Sequence, residues 1–302
     1  MMLFCEIACA IGVTVWVCGM SMTAFGEELT GELTIFHAGS LAVPMSEIAA
    51  AFEKENPGVK VLLEAAGSRE CARNVSELGR ACDVLAVSDC AVIDSLLIPA
   101  FADWNIKFAG NEMAIVYTEH SRYASEITSD NWPSLLMRND VKFARSDPNA
   151  DPCGYRAILT AKLAERYYEM PGFVPKFLAK DQRFIRPKET DLLPLLEADT
   201  VDYIFLYRSV AEQHGLKWLP LPDEVNLKKP ERAELYRSVS VELAGDKPGD
   251  KMKQVGEPIA YGVTIPKNAP NPAAALAFVA FLLENDKGLA ILAKNGQPGV
   301  VP

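Results

Sequence analysis

The chain has 302 residues, of which 49% are hydrophobic and 23% charged, with a formal net charge of −10; this is ample apolar material for two cores. The charge balance excludes a nucleic-acid partner, which needs a basic patch, and no Lys/Arg run is longer than a pair. A small anion stays open as a ligand, because a site made of N–H groups and hydroxyls needs no net positive charge.

Residues 3–20 are almost wholly apolar, with Glu6 the only charge, and Ser21-Met22-Thr23-Ala24-Phe25-Gly26 follows. Residues 1–26 are expected to be a secretory signal, although a basic n-region is missing. A retained membrane anchor is the competing reading, at the short edge of spanning length. Cys18 follows Val15-Trp16-Val17, a poor match to a lipoprotein box.

Beyond the leader, a strand at 33–36 runs into His37-Ala38-Gly39-Ser40-Leu41, and apolar spacing of three and four residues predicts a helix over 43–52. A strand at 59–64 closes on Ala65-Ala66-Gly67-Ser68, with a polar helical segment at 69–80. A Gly-Ser turn between a strand end and a helix start offers N–H groups, a hydroxyl and the positive end of the helix dipole. Two such turns at consecutive strand ends can serve one ligand.

The alternation continues. Strands are predicted at 82–87, 111–117, 142–144, 203–207 and 258–265. Helices are predicted at 91–97, 132–136, 155–168, 192–197, 272–284 and 286–293. Residues 220–230, rich in Pro and Lys, read as a surface loop. Strands alternating with helices imply mostly parallel sheets covered on both faces. Cys71, Cys82, Cys90 and Cys153 show no C-x-x-C spacing, so they are either disulfide partners or small buried hydrophobes. His37, His120 and His214 lack any metalloenzyme spacing, and neither a G-x-S-x-G elbow nor a P-loop occurs, so no catalytic residue is assigned.

Four strings together carry a resemblance: Phe36-His37-Ala38-Gly39-Ser40-Leu41, Ala65-Ala66-Gly67-Ser68, Asp147-Pro148-Asn149-Ala150-Asp151-Pro152-Cys153-Gly154-Tyr155-Arg156, and Tyr261-Gly262-Val263-Thr264-Ile265-Pro266-Lys267-Asn268-Ala269. From about residue 31 onward the chain resembles the extracytoplasmic molybdate/tungstate-binding proteins of ABC importers, in particular their archaeal-type branch. The resemblance implies a two-lobed α/β fold of the type II periplasmic-binding-protein kind, with mixed, mostly parallel sheets and two hinge-crossing strands at 111–117 and 258–265. One lobe would comprise 31–112 with 266–302, and the other 113–265. It implies no cofactor, an oxoanion as ligand, a membrane permease as partner, a monomeric state, and an extracytoplasmic location at the cell surface or membrane.

The resemblance also implies site residues. Ser40 and Ser68 would give hydroxyl and N–H donors to the oxoanion, and Tyr207 a phenolic O–H. Asp151 and Glu189 would bond the molybdenum or tungsten itself. Each has an ordinary structural role when taken singly: Ser40, Ser68 and Asp151 as helix caps, Glu189 as a first-turn acid, Tyr207 as core. Two carboxylates beside a dianion repel it, by roughly 1 kcal/mol at about 4 Å even in water. Either a metal that expands its shell to take hard oxygen ligands, or a protonated acid that donates a hydrogen bond, resolves that conflict. The alternatives in view are another oxoanion such as sulfate or phosphate, a divalent cation caged by Asp151, Glu189 and nearby Asp147 or Asp191, and, with least support, an enzyme.

Overall fold

The computed structural model describes residues 28–245 and 249–300. The expected leader, with Cys5, Cys9 and Cys18, lies outside the described residues. In chain order the strands are β1 (Gly31–Ala38), β2 (Val59–Ala66), β3 (Val84–Val87), β4 (Ile106–Gly110), β5 (Met113–Tyr117), β6 (Phe143–Ala144), β7 (Tyr203–Tyr207), β8 (Lys217–Pro220), β9 (Ser240–Ala244), β10 (Lys251–Val255) and β11 (Ala260–Thr264). The helices are α1 (Ala42–Glu55), α2 (Ser68–Ser76), α3 (Cys90–Leu96), α4 (Trp132–Leu136), α5 (Pro152–Tyr167), α6 (Phe173–Ala179), α7 (Leu193–Glu197), α8 (Arg208–Gln213), α9 (Ala233–Arg237), α10 (Pro272–Leu283) and α11 (Gly288–Lys294).

The first sheet has the order β2-β1-β3-β11-β4, with β1 parallel to both β2 and β3 and with β11 antiparallel to β3 and β4. Successive residues of β1 and β3 enter different cores, as the period-2 pleat requires. Leu33, Ile35, Val84 and Ala86 pack in one core with Met45, Ile48 and Phe52 of α1 and Phe278 of α10. Phe36, Leu85 and Val87 pack in another with Cys71 and Val75 of α2 and Val92 and Ile93 of α3. Helices therefore cover both faces, which is why these strands read as unbroken apolar runs rather than alternating ones.

The second sheet has the order β6-β7-β5-β8, with β6 and β7 parallel and β5 antiparallel to both its neighbours. Its core is aromatic: Phe177 stacks on Phe143 at 5.0 Å and meets Phe205 edge-on at 5.1 Å, and Trp132 meets Phe205 at 5.9 Å. Such pairs add roughly 0.5–1.5 kcal/mol each beyond area burial. An antiparallel hairpin, β9–β10, completes the strands.

The chain leaves the first sheet after β4 and enters the second at β5, so Asn111-Glu112 is one link; it returns between β10 and β11. This corrects the expected crossings. Residues 111–117 are not one strand through the hinge: the polar pair Asn111-Glu112 separates β4 from β5. Residues 258–265, expected in the second lobe, yield β11, which lies inside the first sheet. The loop at 220–230 is not wholly at the surface either. Val225, Asn226 and Leu227 are buried because the carbonyls of Asn226 and Leu227 accept from Met113 N at 2.9 Å and Ile259 N at 2.8 Å, pinning the loop across both links. Cys71, Cys82, Cys90 and Cys153 are buried free thiols, not disulfide partners. Burial pushes the Cys90 thiol up to about 11 and that of Cys82 to about 12, so both stay protonated and inert.

Candidate functional site

Five element ends meet between the two sheets. Ser40 sits in a 3-10 turn, Gly39–Leu41, that joins β1 to α1, and Ser68 is the first residue of α2. Asp151 caps α5: its Oδ1 accepts from Cys153 N at 3.2 Å, and Pro152 occupies the first helical position, where a missing N–H costs nothing. Glu189 opens the 3-10 turn Glu189–Leu192, and Tyr207 ends β7. None of these five side chains is more than 1% exposed.

The two turns of the first sheet close directly on the acids of the second. Ser40 N donates to Glu189 Oε1 at 2.5 Å across 149 residues of sequence. A Cβ on Gly39 would stand 3.1 Å from Glu189 Oε2, and one on Gly67 would stand 2.5 Å from the Ala150 carbonyl oxygen. Gly67 is required by the close approach of backbone to backbone, a use of glycine that needs no unusual φ, whereas Gly39 faces the side chains of Thr190 and Glu189. The N–H expected to face a ligand from Ser40 is thus engaged by Glu189 in this closed arrangement.

The acids are in an unusual electrostatic state. Burial pushes the Asp151 carboxyl well above the usual carboxylate range, and the charge of Glu189 pushes it further; the Cys153 N–H opposes the shift. Burial raises Glu189 as well, with the Ser40 N–H pulling the other way. Asp151 Oδ2 and Glu189 Oε2 have no hydrogen-bond partner. Two carboxylates are both acceptors, so neither satisfies the other without a shared proton or an electrophilic centre between them.

The hydroxyls have the opposite bias. Ser68 Oγ accepts from Ser88 N at 3.0 Å. Tyr207 Oη accepts from Arg156 Nη1 at 2.7 Å, and Arg156 is itself held by the Ser88 carbonyl at 2.7 Å and by Asp89 at 3.3 Å. Ser40 Oγ accepts from Tyr261 Oη at 3.0 Å. With an accepting lone pair already filled, each hydroxyl turns its own proton elsewhere: the Ser68 and Ser88 Oγ atoms face each other at 3.0 Å, and the Ser40 hydroxyl lies against the Glu189 carboxyl. Ser88, Arg156 and Tyr261 were not assigned from sequence, though Arg156 and Tyr261 lie in the strings that carried the resemblance. Ser146, buried beside Asp151, belongs to the same group. Among the described residues no group of three or more His, Cys, Asp or Glu side chains is arranged to hold a metal ion, so the carboxylate cage with Asp147 or Asp191 does not form.

Two mixed sheets, each carrying one reversed strand and joined by two short links with polar groups converging between them, define a type II binding-protein fold. The chain belongs to the bacterial extracellular solute-binding protein family, whose sequence profile matches residues 33–297. It is 49% identical to an uncharacterized solute-binding protein of Petrotoga mobilis, with 91% of this chain and 86% of the relative covered. It is 43% identical to the molybdate/tungstate-binding protein WtpA of Pyrococcus abyssi, over 94% of this chain and 89% of that one. The periplasmic molybdate-binding protein of Azotobacter vinelandii shares the fold, with a TM-score of 0.65 at 16% identity over 89% of this chain and 99% of that one. Members of this family are extracellular solute-binding proteins.

Proposed function

We propose that the protein captures molybdate or tungstate between its lobes and delivers it, as a monomer held near the membrane, to the permease of an ABC importer. The observation that carries this reading is the pairing of opposite biases in one buried cleft. Ser40, Ser68 and Tyr207 have protons to donate to oxoanion oxygens. Asp151 Oδ2 and Glu189 Oε2 have no donor beyond the proton that the two acids share. A sulfate or phosphate satisfies the hydroxyls but adds charge against the acids. Molybdenum(VI) or tungsten(VI) satisfies both, because the metal centre takes the two carboxylate oxygens while its oxo groups take the hydroxyl protons. The WtpA relative, named for these ligands, supports the same choice.

Thermal unfolding with tungstate, molybdate, sulfate, phosphate and divalent cations tests this, since a ligand of the native state raises the melting point by mass action. Tungstate and molybdate are expected to raise it and the others to leave it unchanged. In the Asp151→Asn/Glu189→Gln variant, tungstate affinity is expected to fall by at least about tenfold, ~1.4 kcal/mol. Tighter tungstate binding by that variant would mean that the acids merely repel the anion.

A further inference from the structure

The link Asn111-Glu112 does more than join the sheets. The Asn111 amide is oriented by the backbone: Glu112 N donates to Asn111 Oδ1 at 2.9 Å, and an N–H cannot accept, so the oxygen must face it. Asn111 Nδ2 then donates both to Ser209 Oγ of α8 at 2.7 Å and to Tyr261 Oη of β11 at 2.8 Å. The Gln297 side-chain amide also faces the Tyr261 phenol, while its nitrogen donates to the Ser40 carbonyl at 2.8 Å and its Oε1 has no partner. Tyr261 Oη thus receives the Asn111 N–H, and its own proton goes to Ser40 Oγ at 3.0 Å. Asn111, Tyr261, Ser40 and Gln297 are all buried, so water offers no alternative polarity.

We infer that Asn111 and Tyr261 are positioning residues that fix the Ser40 hydroxyl as a donor into the cleft, with the polarity set at the link between the lobes. The inference rests on the reading that Ser40 contacts an oxoanion. Each step follows from the one before: the Glu112 N–H fixes Asn111, Asn111 fixes Tyr261, and Tyr261 leaves Ser40 only its own proton to offer. A ligand that must receive that proton is an acceptor at the contacted oxygen, which favours a fully deprotonated oxoanion over one carrying O–H there.

A mutant cycle read by tungstate titration separates the relay from a structural role. Ser40→Ala and Tyr261→Phe are each expected to weaken tungstate about threefold to tenfold, the worth of one hydrogen bond. In the Ser40→Ala background, Tyr261→Phe is expected to have no further effect. Asn111→Asp turns the donor into an acceptor, so Tyr261 gives its proton backwards and Ser40 turns its proton to Tyr261. Its loss is expected to exceed that of Tyr261→Phe, and adding Tyr261→Phe is expected to recover part of it, since the added charge alone is indifferent to the phenol. Should Tyr261→Phe fail to fold, the Asn111→Asp and Ser40→Ala pair carries the same cycle. Equal losses from Tyr261→Phe with and without Ser40, or no recovery of Asn111→Asp, would overturn the relay while leaving oxoanion binding intact. An unchanged affinity in Ser40→Ala alone would overturn the reading beneath it, and the relay with it.

Discussion

At the scale of single residues, the tension lies in Asp151 and Glu189. A buried carboxylate without a partner costs several kcal/mol, so the closed, ligand-free site holds a proton that the unfolded chain gives up near a pH of about 4. For acids raised in the native state, stability is undiminished below the unfolded value and falls as pH rises from there through the raised value of the pair. Asp151→Asn removes the titrating group and keeps the cap on α5, because Asn serves as an N-cap about as well as Asp. The ligand-free variant is therefore expected to melt above the parent by a margin that widens as pH rises from about 4 toward neutrality. Calorimetry at a series of pH values checks this, and a margin that is flat or shrinks with pH would remove the strained pair. Under the proposed coordination, bound tungstate is expected to reverse the sign of the mutation, because the carboxylates then hold the metal.

At the scale of elements, the turn after β2 is the piece that must fit. Gly67 leaves no room for a Cβ against the Ala150 carbonyl, at 2.5 Å, and that carbonyl belongs to the segment leading into Asp151. Gly67→Ala should leave each sheet intact and block their approach. The variant is expected to lose tungstate affinity by at least about tenfold, ~1.4 kcal/mol, and to show no compaction in small-angle scattering when tungstate is added. Compaction equal to that of the parent would mean that this turn does not gate closure. The elements that carry Ser40, Ser68, Asp151, Glu189 and Tyr207 were legible in sequence because each residue ends or begins a strongly patterned segment. Tyr261, Asn111 and Ser88 were not, since their roles arise from pairings such as Tyr261 with Ser40 across 221 residues, which no local pattern encodes. The crossing was misread for a similar reason. The alternation Ile106-Lys107-Phe108 is too short to announce β4, and the insertion of β11 between β3 and β4 is a tertiary choice. The hairpin β9–β10 has only a short alternation, Val241 and Leu243 among polar residues, and its charged residues kept it from reading as a strand pair although Leu243 is buried.

At the scale of the whole molecule, two links and two close-fitting turns place hydroxyl donors from both lobes around a pair of buried acids. The fold is common to binding proteins for several solutes, and it does not by itself choose among them. In the proposed reading the acids choose: as carboxylates they repel a compact dianion and suit a metal centre able to add oxygen ligands. X-ray absorption at the tungsten edge of the protein–tungstate complex reads that choice at the atom concerned. The expected spectrum is that of an octahedral centre in which carboxylate oxygens have joined the oxo groups, reverting to tetrahedral in the Asp151→Asn/Glu189→Gln variant. A tetrahedral spectrum from the parent complex, indistinguishable from tungstate free in solution, would contradict the proposal that Asp151 and Glu189 bond the metal.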